Sequence, residues 1–188
     1  TRAAFVAVIA VGATFVISSG DLDLSVGSML AFVASLMILF LNAGYFTNPV
    51  TLLAAAVLFA LIAGALCGLA NGLITTLGKI EPFIATLGTM GIYRGLTIWL
   101  SQGGAITLKS PEMQELYRPA YFGSVLGIPA PILVTLIVAA IAAFILYRTR
   151  YGRHVVAVGS NRDVARYSGI KVDRVRTMAF VIQGICVA

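Results

Sequence analysis

Of the chain's 188 residues, 60% are hydrophobic and 11% charged, with a mean hydropathy of +0.99. A soluble domain carries about 25% charged residues to wet its surface, so most of this surface faces lipid, and a water-soluble class is excluded. The formal net charge is +6, with 13 Lys and Arg against 7 Asp and Glu.

Five apolar stretches are predicted to be membrane spans: Ala3–Ser19, Leu24–Leu41, Val50–Leu77, Pro82–Leu100 and Pro131–Tyr147. Each approaches the length a helix needs to cross about 30 Å of hydrocarbon at about 1.5 Å per residue. None alternates polar and apolar residues as a transmembrane β-strand does, so the expected fold class is all-α, a polytopic transmembrane helical bundle. Thr1-Arg2 enters an apolar run directly, and Thr177–Ala188 is apolar but too short to span. The chain is therefore expected to be one partial membrane domain, 1–188, cut at both ends.

Between the first two spans lies Ser18-Ser19-Gly20-Asp21-Leu22-Asp23-Leu24-Ser25-Val26-Gly27-Ser28. Gly20 and Gly27 bracket carboxylates and hydroxyls, which predicts a break in the helix. Backbone broken at membrane depth persists only where protein or water covers it. Asp21 and Asp23 have two readings: they line a pathway, or they cap the following helix.

The third span carries Ala56, Ala60, Gly64, Gly68 and Gly72, four apart each time. Residues so spaced share one helix face, and in lipid a smooth face lets another helix approach closely. Gly72-Leu73-Ile74-Thr75-Thr76-Leu77-Gly78-Lys79-Ile80 has five residues between its glycines and Ile80 after the lysine. A phosphate-binding loop requires four, then Ser or Thr, so no nucleotide site is read here. In the fourth span Thr86, Gly88, Thr89, Gly91, Tyr93, Arg94 and Gly95 interrupt the apolar pattern. An arginine at mid-membrane costs about 2.5–3.5 kcal/mol, so Arg94 either reaches the interface or faces a polar cavity. Beyond it, Ser110-Pro111-Glu112 reads as N-cap, proline at N1 and an acid in the first turn, which predicts a short surface helix.

The segment 148–176 holds Arg148, Arg150, Arg153, Arg162, Arg166, Lys171, Arg174 and Arg176 against Asp163 and Asp173. The rest of the chain is neutral. Basic loops face the cytoplasm, which makes 148–176 cytoplasmic and 103–130 external. Nucleic acid is not expected as the partner of this basic loop, since a short segment tethered to membrane helices supplies no reading domain. Ser160 or Asn161 suits an N-cap, Asp163 a first turn and Gly169 a C′ position, predicting a helix of about two turns. Cys67 and Cys186 lie in apolar runs and read as buried small hydrophobes. His154 is the only histidine, so neither a histidine metal cluster nor a catalytic dyad is predicted. No enzyme activity and no cofactor are expected.

Three motifs in order resemble the permeases of the ribose/xylose/galactose-type branch of ABC importers. The first is Gly-Arg-x5-Gly-x-Asn-x3-Ala-x3-Gly-Ile, met from Gly152 to Ile170. The second is the run to Asp23-Leu24-Ser25-Val26-Gly27-Ser28, with Asp21-Leu22 where one Ile is usual. The third is Pro82-Phe83-Ile84-Ala85-Thr86-Leu87-Gly88-Thr89-Met90 with Arg94-Gly95. The resemblance makes Asp23 the matching carboxylate and Asp21 an extra one. It implies a permease dimer, of identical or different chains, in the bacterial inner membrane. Cytoplasmic ABC ATPases would grip the short helix, and an extracytoplasmic sugar-binding protein would deliver a monosaccharide-like solute. The ATPase-coupling candidates are Gly152, Arg153, Gly159, Asn161, Ala165, Gly169 and Ile170. The pathway or gate candidates are Asp23, Ser25, Gly27, Ser28, Asn71, Thr86 and Arg94, and Gly64, Gly68 and Gly72 are assigned to helix packing. Two other classes remain as alternatives: a stand-alone transporter or channel using Asp21 and Asp23, and a membrane-embedded enzyme acting on lipid, for which no constellation is visible.

Overall fold

The computed structural model describes residues 2–125 and 127–188. Its helices are α1 (Arg2–Ser18), α2 (Val26–Ala43), α3 (Pro49–Thr76), α4 (Pro82–Ser101), α5 (Pro111–Phe122), α6 (Ala130–Arg148), α7 (Arg150–Ser160), α8 (Arg162–Tyr167) and α9 (Val172–Val187). Two short strands, β1 (Ser124–Val125) and β2 (Ile128–Pro129), pair antiparallel between α5 and α6. The fold is all-α in its membrane body. By length and composition α2, α3 and α6 can cross a membrane; α1 is a shorter apolar helix, and α4, of 20 residues, carries Arg94 and four threonine or serine hydroxyls.

Caps set the helix ends. Asn48 accepts from the Val50 amide at the start of α3, with Pro49 in its first turn, where the missing N–H costs nothing. Gly20 has φ +77° and closes α1 in a double-bonded cap: the Gly20 amide reaches the Ile17 carbonyl at 3.0 Å, and the Asp21 amide the Val16 carbonyl at 3.1 Å. This is the Schellman pattern, which fixes the residue after the glycine. Gly20 therefore breaks the helix as expected, but Gly27 does not, because it lies in the first turn of α2. Ser25 holds the N-cap position before Gly27 is reached, without a side-chain capping bond.

The core is built on close backbone approach. On α3, a Cβ on Gly68 would overlap the Phe180 carbonyl of α9. One on Gly64 would overlap the Gly184 carbonyl, and one on Gly72 would crowd Thr177. Gly184 answers with an equally close approach to the Gly64 carbonyl, and Gly12 of α1 makes room for Cys186. The small-residue face of α3 thus seats α9, with Ala56 and Ala60 buried further along. Phe15 and Val16 of α1 pack on Ala179 and Phe180 of α9. The apolar residues 177–187 belong to α9, which is held between α1 and α3. The outer faces of α3, α4 and α6 expose Leu, Ile and Phe side chains, as lipid contact requires.

The chain's polar connections gather at two ends. At one, the linker 19–25, the turn 77–81 and α7–α8 lie together. At the other, Asn42 donates to the Thr107 carbonyl at 2.9 Å and accepts from the Lys109 amide at 2.9 Å, while Met113 of α5 packs on Leu41, Leu52 and Ala56. The Ser110 hydroxyl sits 3.5 Å from the Met113 amide, and α5 is the surface helix expected there.

Candidate functional site

The segment 148–176 is three helical pieces rather than a loop holding one helix. Thr149 caps α7, accepting from the Gly152 amide. Gly152 lets α7 turn sharply off α6, since a Cβ there would overlap the Leu146 carbonyl. The sequence reading missed α7. Its signal was amphipathic: Tyr151, Val155 and Val158 share one face with Gly152, and Val155 and Val158 are buried against Ala165, Val172 and Val175. Burial pushes the Tyr151 phenol well above its ordinary range, so it remains a neutral donor to the Val175 carbonyl at 3.1 Å.

The predicted short helix is α8, six residues long where about two turns are expected. Asn161 Oδ1 accepts from the amides of Asp163 and Val164, both at 3.0 Å. At the other end Gly169 has φ +82°; its amide bonds the Arg166 carbonyl and the Ile170 amide the Ala165 carbonyl, both at 3.0 Å. Ile170 then packs with Ala165 in one apolar cluster, the contact this cap favours. Asn161, Ala165, Gly169 and Ile170 thus have one local purpose: a capped, rigid turn of helix. Gly159 brings α7 onto the end of α1, where a Cβ would overlap the Ser18 carbonyl. Arg153 is exposed.

Two polar networks flank Leu22. The first centres on Asp21, 5% exposed. Arg176 of α9 grips it at two points, Nε to Oδ2 and Nη2 to Oδ1, both 2.8 Å. Arg162 of α8 reaches Oδ1 at 2.7 Å with the same nitrogen that donates to the Gly20 carbonyl at 2.8 Å. The extra carboxylate of the sequence reading is therefore the paired one, and it caps nothing. Its partners escaped that reading, although a signal was present: Arg176 stands in the pattern Val172, Val175, Ala179, Phe180, on the face of α9 that is buried, where an arginine requires an acid.

The second network holds most of the pathway candidates. Asp23 Oδ1 accepts from the Ser25 amide at 2.8 Å and the Ser25 hydroxyl at 2.7 Å, a local turn that starts α2. Asn71 of α3 donates to Ser25 Oγ at 2.8 Å, with Asp23 Oδ2 at 3.4 Å. Tyr93 of α4 donates to the Cys67 carbonyl at 3.0 Å, with Asn71 Oδ1 at 3.3 Å. Thr86 Oγ1 accepts from the Leu24 amide at 3.1 Å and donates to the Pro82 carbonyl at 2.8 Å. Burial raises the Asp23 carboxyl above its ordinary value, against hydrogen bonds from Ser25 and Asn71 that lower it. Ser28 donates to the Ser25 carbonyl at 2.9 Å. Gly27 and Arg94 stand apart, exposed on α2 and α4, and Gly88, Gly91 and Gly95 have open space around them. Among the described residues no cluster of metal-binding side chains occurs.

A helical body with apolar outer faces, polar residues gathered between its helices, and a capped helix at one end describe a multi-pass membrane protein. The family described as "branched-chain amino acid transport system / permease component" matches residues 1–188, and the chain belongs to it. It is 38% identical over 178 residues to the ribose import permease protein of Haemophilus influenzae, covering 95% of this chain and 53% of that one. It is 39% identical over 178 residues to the ribose import permease protein of Bacillus subtilis, covering 94% and 52%. To the autoinducer 2 import system permease protein of Salmonella typhimurium it is 38% identical over 176 residues, covering 94% and 48%. The chain thus spans about half the length of the curated relatives it matches. No solved structure matches it.

Proposed function

We propose that this chain is the membrane-spanning part of a binding-protein-dependent ABC importer, moving a monosaccharide-like solute across the bacterial inner membrane. The observation that carries this reading is α8: one exposed helical turn, capped at both ends, anchored to the bundle end that carries the chain's excess positive charge. Such an element is shaped to be gripped by a partner and moved as a unit. The partner is a pair of ATPase subunits, since the chain offers no nucleotide-binding motif and an importer of this kind draws its energy from ATP hydrolysed elsewhere. At the opposite end, α5 and the segment held by Asn42 offer a surface to an extracytoplasmic sugar-binding protein. Two permease chains, identical or different, enclose the pathway, with Asp23, Ser25, Asn71 and Thr86 beside it.

Closure of the ATPases moves α8 against α1, and the switch of access is a rigid-body change of the hinge type. Of the two carboxylates a stand-alone transporter would use, Asp21 is already ion-paired to Arg162 and Arg176. The test is reconstitution of the full-length permease with its ATPase and binding protein in liposomes. ATP-dependent uptake, abolished by Gly159→Trp or Ala165→Trp with the protein still in the membrane, is the expected result. Uptake by the permease alone on an ion gradient overturns the reading.

A further inference from the structure

The linker 19–25 holds a carboxylate near each end, and the two point into different networks. Asp21 joins α8 and α9; Asp23 joins the start of α2 to α3 and, through Asn71 and Tyr93, to α4. Only Leu22 separates them. We propose that Asp21 is a positioning residue that ties α8 to this linker, so that a displacement of α8 reaches the Asp23–Ser25–Asn71 network. This inference rests on the functional reading above.

The connection is stiff from α8 as far as Asp21. The Asp21 amide is bonded to the Val16 carbonyl, so its backbone cannot shift without unwinding the end of α1. Aspartate has two side-chain torsions, and both of its oxygens are engaged by guanidinium groups. Arg162 bridges the Asp21 carboxylate and the Gly20 carbonyl with one nitrogen. Beneath that bridge Gly159 meets the Ser18 carbonyl backbone to backbone, leaving no flexible side chain to absorb a push. Arg176 holds the same carboxylate from α9, and α9 is seated on α3 through Gly64, Gly68 and Gly72. One carboxylate thus fixes α1, α8 and α9 to each other. Charge-assisted hydrogen bonds to a carboxylate are short and directional; the Arg176 pair is buried and holds the carboxylate in place, and the half-exposed Arg162 links α8 to it.

The experiment uses the full importer in proteoliposomes, reading ATPase captured, ATP hydrolysed and solute moved. Asp21→Asn keeps the shape and removes the charge. It is expected to capture ATPase as wild type does while the solute moved per ATP falls about tenfold or more, within the usual range of coupling between sites. Asp21→Glu, which restores the charge, is expected to recover most of that ratio, which a merely structural role for the side chain's shape would not predict. Should Asp21→Asn fail to assemble, Arg162→Gln decides, because it leaves the buried Arg176 pair in place; its ratio is expected to fall in the same direction. A wild-type ratio in Asp21→Asn, or in Arg162→Gln where that variant decides, overturns the inference. A wild-type importer that captures no ATPase overturns the functional reading instead, so the two failures are distinguishable.

Discussion

Asp21 and Arg176 lie 155 residues apart in the chain and form a two-point ion pair, both contacts 2.8 Å, where α1 ends and α9 begins. The aspartate side chain is wholly buried and the arginine side chain 10% exposed, whereas Arg162, the second partner, is 36% exposed. The difference in burial ranks the two arginines.

Removing one partner of a buried pair costs about 3–5 kcal/mol because the other charge is left uncompensated, whereas an exposed partner contributes about 0–1 kcal/mol. Arg176→Met is therefore expected to lower the unfolding temperature in detergent far more than Arg162→Met. Equal losses would show that burial does not rank these contacts.

The α3–α9 seam is expected to tolerate no side chain. Gly68→Leu drives a side chain into the Phe180 carbonyl, and the protein should fail to accumulate in the membrane. Gly88→Ala on α4 meets open space and should stabilise by about 0.5–1 kcal/mol, the usual advantage of alanine over glycine inside a helix. Abundance in the membrane reads the first variant, and thermal unfolding in detergent against wild type reads the second.

Tyr93→Phe deletes the buried donor to the Cys67 carbonyl. A net loss of about 1 kcal/mol is expected. Asn71→Leu should cost more, since it leaves Ser25 Oγ, and the more distant Asp23 Oδ2, without the Asn71 amide. A double-mutant cycle between Asn71 and Ser25 is expected to give a favourable coupling, and zero coupling would dissolve the network into separate contacts.

Asn161→Ala takes the cap from α8. About 1 kcal/mol of local stability is expected to go, read as faster hydrogen exchange at the Asp163 and Val164 amides with α3 and α9 unchanged. Unaltered exchange at those two amides would mean that the cap does not hold the helix.

A cysteine placed at Ser160 in intact cells is expected to resist a membrane-impermeant thiol reagent, while one at Lys109 reacts. The native Cys67 and Cys186 lie within α3 and α9 and give a low background. Labelling at Ser160 and not at Lys109 inverts the orientation.

Much of this molecule can be read from its residues alone, because the controlling forces are local or one-dimensional. Hydrophobic run length marks the spans, since lipid leaves a chain few other options. The spacing of Gly64, Gly68 and Gly72 marks a contact face, and Asn161 with Gly169 marks the ends of a short helix through bonds that close within a few residues. The excess of arginine after Tyr147 sets the expected orientation, because that rule counts charges and ignores contacts.

What the sequence could not supply was partnership. Asp21 and Asp23 are two residues apart with the same chemistry, and neither their order nor their neighbours tells which one is ion-paired. That is decided by α9 folding back between α1 and α3, which sets Arg176 beside the end of α1, and by α8 bringing Arg162 to the same point. Burial of a charge depends on contacts distant in sequence, and only the packed structure brings them together.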